Sequence, residues 1–83
     1  MSDTTAVPLT VTLAVRWETD KDGDQLLYAG PLGLGCVYSM GHDPVWWHAA
    51  GAGLCHGIRI RNLPTQAEAM AALQAAALKE LRQ

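Results

Sequence analysis

Residues 58–81 read IRIRNLPTQAEAMAALQAAALKEL, and the hydrophobic period changes inside them from that of a strand to that of a helix. Ile58 and Ile60 alternate with Arg59 and Arg61, the period of a strand with one dry face and one wet face. Pro64 marks the boundary. Thr65-Gln66-Ala67-Glu68 then fits a capping box, in which the Thr65 hydroxyl and the Glu68 carboxylate satisfy backbone donors that a helix start leaves free. Alanine, leucine, methionine, glutamine and glutamate fill the following turns, all strong helix formers. Met70, Leu73, Ala77, Leu78 and Leu81 fall on one stripe, which predicts a helix over 65–82 lying on a sheet.

Working back from that junction, the chain reads as strands. Leu9, Val11, Leu13, Val15 and Trp17 alternate with Thr10, Thr12, Ala14 and Arg16. Thr19 to Asp24 reads as a hairpin loop with Asp-Gly at its tip. A strand resumes at 26–29 and is interrupted by Gly30-Pro31. Leu32, Leu34, Cys36 and Tyr38 share one parity in the next segment, where Gly33 and Gly35 suggest a bulge or a close backbone approach. Gly41-His42-Asp43-Pro44 turns the chain, 45–49 is extended, Gly51-Ala52-Gly53 turns it again, and 54–61 forms the last strand. Strands followed by one helix predict an α+β domain. It has a three- to four-stranded antiparallel sheet over 9–61 with the C-terminal helix packed on one face, a two-layer sandwich.

Composition sets the outer limits. At 83 residues there is room for one domain, 1–83, with a lead-in over 1–8 that can be flexible. With 49% hydrophobic and 17% charged residues the chain is not of the disordered class. A net charge of -2 argues against a duplex binder, which gains affinity by releasing counterions and is normally basic. No apolar run approaches the ~20 residues that cross a bilayer, and Met1-Ser2-Asp3-Thr4-Thr5 lacks the marks of a signal peptide. The expectation is a cytoplasmic protein without a membrane partner. Its two cysteines are thiols rather than a disulfide framework.

One helix covers one face of such a sheet and leaves the other open. Parity, in the absence of a bulge, sends Val15, Trp17, Val45, Trp47, Ile58 and Ile60 under the helix. Arg16, Trp46, His48, Arg59 and Arg61 then share the open face, and these are the candidate binding residues. Tryptophan and arginine suit a binding hot spot, and the planar arginine fork suits carboxylate and phosphate. The same surface serves a protein partner, a second copy of the chain, or single-stranded nucleic acid stacked on Trp46. The plain structural reading is that Trp46 folds over a loop and the arginines keep the sheet soluble.

Candidate chemistry is sparse. Cys36, His42, His48, Cys55 and His56 can each ligate zinc, but the intervening gaps are five, five and six residues, with only Cys55 and His56 adjacent. Structural zinc sites pair ligands two to four residues apart on tight knuckles, so buried thiols and surface histidines are the favoured reading. A Cys–His nucleophile lacks a third residue to orient it. Asp20, Asp22 and Asp24 with Gly23 miss the EF-hand spacing, since position twelve is Pro31. Gly30-Pro31-Leu32-Gly33-Leu34-Gly35 lacks the lysine and helix of a P-loop.

In whole-chain rhythm, the Trp- and Gly-punctuated strands leading into Thr65-Gln66-Ala67-Glu68-Ala69 resemble small bacteriophage and prophage proteins. That resemblance implies a phage or prophage origin and a host-interaction role such as blocking a bacterial defence complex. The strand–strand–strand–helix order also resembles the double-stranded-RNA-binding fold. Its lysine patch is missing, because the helix opens on Gln66, Ala67 and Glu68 while Lys79 and Arg82 sit at the far end. The expectation is therefore a non-catalytic, cofactor-free protein-binding module, compatible with a homodimer and with inhibition of a host complex. A single-strand nucleic-acid binder and a small zinc-bound structural domain are the alternatives.

Overall fold

The computed structural model describes residues 14–82. The expected alternation of Leu9, Val11 and Leu13 and the lead-in over 1–8 lie outside the described residues. The chain forms β1 (Val15–Thr19), β2 (Gln25–Ala29), β3 (Leu32–Met40), β4 (Trp46–Gly51), a short 3-10 turn (Gly53–Cys55), β5 (Arg59–Leu63) and α1 (Gln66–Leu81). The strands make one antiparallel meander in the order β1-β2-β3-β4-β5. The α+β class is as expected. The strand count is not, since the described sheet has five strands rather than three to four. The difference arises at Gly30-Pro31, which closes a tight hairpin between paired Ala29 and Leu32. Gly30, at φ 59°, takes the first central position of that turn, where a side chain would be strained and glycine is not.

Local chemistry explains the helix. The backbone N–H of Glu68 donates to the Thr65 hydroxyl at 3.1 Å as expected, while the Glu68 carboxylate accepts from that hydroxyl at 3.0 Å rather than from a backbone donor. Lys79 lies in the last turn, where a cation meets the negative end of the helix dipole. The buried stripe is Ala69, Leu73 and Ala77, with Met70 and Leu81 flanking it. It is therefore centred one residue from the stripe read off the sequence. Two alanines in the line of contact let the helix come close, and Leu73 is the large helix side chain buried completely against the sheet.

Beneath the helix lie Leu27, Leu34, Val37, Ala49 and Cys55, joined at the margin by Val15, Trp17, Trp47, Ile58, Ile60 and Leu63. Trp17 ties the outermost strand to the helix, its indole N–H donating to the Gln74 side-chain oxygen at 3.0 Å. Gly35 faces the helix, and a Cβ there would lie 2.5 Å from the Ala50 carbonyl and 3.1 Å from Leu73 Cδ2. The close backbone approach expected at these glycines is present at Gly35, whereas Gly33 meets only the Tyr28 ring. The bulge is present too, because Leu27 pairs with Gly35 and Tyr28 with Gly33, which leaves Leu34 unpaired.

That bulge breaks the shared parity expected of β3. Leu34 enters the core, 1% exposed, while Cys36 and Tyr38 fall on the opposite face in register with Ala50 and His48. Val45 is a second correction. It lies just before β4 and is 42% exposed rather than packed under the helix, because strand pairing starts at Trp46. The last strand begins at Arg59 rather than Leu54, since Gly53–Cys55 coils into the 3-10 turn and drives Cys55 into the core.

Candidate functional site

Two successive cross-strand pairs build the site on the helix-free face. Tyr38 of β3 stands opposite His48 of β4, and Met40 opposite Trp46. Side chains so placed touch across the ladder. The Tyr38 and His48 rings stack with centroids 5.5 Å apart and planes 20° from parallel. Trp46 and Met40 continue the block outward and stay 40% and 57% exposed. His48 is only 9% exposed, with the Tyr38 ring stacked against it.

β5 supplies the polar wall. Ala49 pairs with Ile60 and Trp47 with Leu63, so two residues, Arg61 and Asn62, stand against His48. Asn62 takes φ 62°, a left-handed conformation that asparagine tolerates better than most residues. The extra residue lets Leu63 reach the core opposite Trp47 while Arg61 and Asn62 stay on the groove side. The result is an open groove of about 610 Å3 lined by Tyr38, Met40, Gly41, Trp46, His48, Arg61 and Asn62.

Of the candidate binding residues, the structure gathers Trp46, His48 and Arg61 around this groove. Arg59 pairs with Ala50 farther along the same exposed face of β5. Arg16 shares the face but not the site. β1 and β5 are opposite edges of the sheet, four strand spacings apart, or about 19 Å. Arg16 is also engaged locally, bonded to Glu18 at 2.9 Å, to the Gly30 carbonyl, and lying 4.9 Å over the Tyr28 ring. Tyr38, Met40 and Asn62 are groove residues that sequence parity does not find. Their signals are the Gly33/Gly35 bulge, which sets the face of Tyr38, and an asparagine two residues before Pro64, where a strand can bulge.

The cysteines and histidines do not converge. Cys36 and His48 lie on the open face, Cys55 is fully buried under the helix, His42 is exposed in the β3–β4 loop, and the exposed His56 follows the 3-10 turn. Among the described residues, no group of three His, Cys, Asp or Glu is arranged to hold a metal ion. In the β1–β2 loop, the Asp20 carboxylate instead accepts the backbone N–H groups of Asp22 at 2.8 Å and Asp24 at 3.0 Å, closing the turn on itself. Burial raises the Asp24 carboxyl above the usual range, with Asp20 and Asp22 adding to it.

Neither thiol is primed for nucleophilic work. Burial pushes the Cys36 thiol up, and Asp24 and Asp20 push it further. Burial also pushes Cys55 up, with Glu80 adding to the effect. The thiolate is the reactive form, so both should be sluggish near neutral pH and quicken only above the usual thiol range. With a disulfide reagent at pH 8, native protein is expected to release colour slowly from Cys36, with Cys55 reacting only after denaturant is added. Rapid reaction of Cys55 in native protein would contradict its burial.

Compared with known proteins, the chain matches no family model, no curated protein and no solved structure.

Proposed function

We propose that this protein is a non-catalytic binding module that docks a protein partner on the helix-free face of its sheet. The observation that carries the reading is the exposed pair Met40 and Trp46, backed by the stacked Tyr38 and His48 rings and set beside Arg61. Contiguous exposed apolar surface usually marks an interface, and a rigid aromatic next to arginine is the composition of a hot spot.

A single-stranded nucleic acid would need cations along the whole face to follow its backbone. Here Arg16 is at the far edge and held by Glu18, and the net charge is -2, so the electrostatics favour a protein. A phage or prophage origin, with a host complex as the target, would be one setting for such a surface.

Immobilised wild type is expected to retain a protein from bacterial lysate whether or not the lysate is treated with nuclease. Trp46→Ala should lose it, at a cost of about 2 kcal/mol or more in binding, while unfolding in denaturant is little changed because Trp46 lies outside the core. Capture abolished by nuclease would instead make the face a nucleic-acid site. Loss of folding on Trp46→Ala would make Trp46 structural.

A further inference from the structure

We propose that the groove takes a peptide segment in which a carboxylate side chain lies next to an aromatic or aliphatic one, the carboxylate engaging Arg61 and the apolar group resting on Trp46 and Met40. This inference rests on the docking role above and specifies the chemistry of its partner.

Charge distribution carries the argument. Among the described residues the ion pair that forms joins Arg16 to Glu18, so Arg59 and Arg61 stand on β5 without a carboxylate partner. Asp43, in the loop beside Gly41, does not pair with them either. The acidic loop Asp20–Asp24 lies on the other side of β3, next to the end where Gln25 pairs with Val37 and β3 runs on alone with β4. β5 therefore brings two unpaired arginines to the face, beside the apolar block. A ligand lying across it is oriented, its carboxylate toward Arg61. Arg61 is exposed, so its fork is free to take a carboxylate in the two-pronged manner that suits guanidinium. Asn62 adds an amide donor beside it. The edge itself is a poor place for an added strand, because it carries two arginines and a bulge, so recognition runs through side chains on the face.

The test is a display library of random peptides selected on wild type. Selected sequences are synthesised in two forms, the acidic peptide and its counterpart with each Asp or Glu changed to the amide. The expected result is enrichment of Asp or Glu beside an aromatic or aliphatic residue. Affinity should fall roughly tenfold either on Arg61→Gln or on amidation of the peptide, with no further fall when both are combined. Peptides that need Trp46 but carry no carboxylate, or ignore Arg61→Gln, would overturn the inference and leave the docking face standing. Peptides that bind Trp46→Ala as well as wild type, or no enriched peptide at all, would remove both. Tighter Arg61-dependent binding of oligothymidine than of the acidic peptides would assign the groove to nucleic acid instead.

Discussion

The Gly51→Ala protein is expected to be strongly destabilised, melting well below wild type. A Cβ at Gly51 would lie 1.7 Å from the Cys55 carbonyl oxygen, 2.7 Å from its carbon and 3.0 Å from the Ile58 Cβ. The first two are backbone atoms, so no side-chain rotamer relieves the clash. The 3-10 turn would have to lift away, and it is held by what it would lose. The Gly51 N–H donates to the Ile58 carbonyl at 2.9 Å, the Ile58 N–H donates to the Cys55 carbonyl at 3.0 Å, and the Cys55 side chain is fully buried. Overpacking alone costs roughly 1–3 kcal/mol, and each buried hydrogen-bonding group left unpaired costs about 1–3 kcal/mol more. A chain of 83 residues has about 4–12 kcal/mol in total. We therefore expect a loss of about 3 kcal/mol or more, and a fall in Tm of roughly 10 °C or more. Gly57→Ala is the control, since nothing lies within 4 Å of a Cβ there and it should behave as wild type. Equal stability of the two variants in a thermal melt would contradict the packing described for the β4–β5 connection.

Leu73→Ala is the second large effect. Leu73 is completely buried at the centre of the helix stripe, with Ala69 and Ala77 on either side along the same line of contact. Those alanines already seat the helix close to the sheet, so it cannot settle further to fill the space a truncated leucine leaves. Truncations of this kind cost about 2–5 kcal/mol, more where collapse is blocked. A loss near 4 kcal/mol by urea denaturation is the expected result. Leu73→Met, which keeps the volume, should lose less than about 1.5 kcal/mol. Leu54→Ala, at a side chain 64% exposed, should lose little. A Leu73→Ala protein as stable as Leu54→Ala would mean that the helix does not pack as described.

How much of this was legible in the sequence depends on whether the information is local. The helix start was legible because the Thr65–Glu68 exchange and the alanine-rich turns act within a few residues. The faces of Trp46, Trp47 and His48 were legible because β4 keeps its alternation from end to end. The face of β3 was not. Its bulge at Leu34 is made by the pairing of Leu27 with Gly35 and Tyr28 with Gly33 across a hairpin, and no periodicity inside β3 records which of its residues slips. The same limit applies to Asn62, whose bulge exists because Leu63 and Trp47 meet in the core. Arg16 shows another limit. Parity put it on the correct face, but only strand order shows that β1 and β5 are opposite edges, so one face became two separate surfaces. The groove itself is a product of register, pairing Met40 with Trp46 and Tyr38 with His48, and register is a relation between segments rather than a property of either.

The proposed docking role of the helix-free face is checked by titrating the captured partner against three forms of the protein. Wild type and Leu54→Ala are expected to bind alike, since Leu54 is an exposed hydrophobe outside the groove. Trp46→Ala, equally folded, should bind at least roughly tenfold more weakly. If Trp46→Ala binds as wild type does, the partner docks elsewhere and the paired aromatic block is only a surface feature of the sheet.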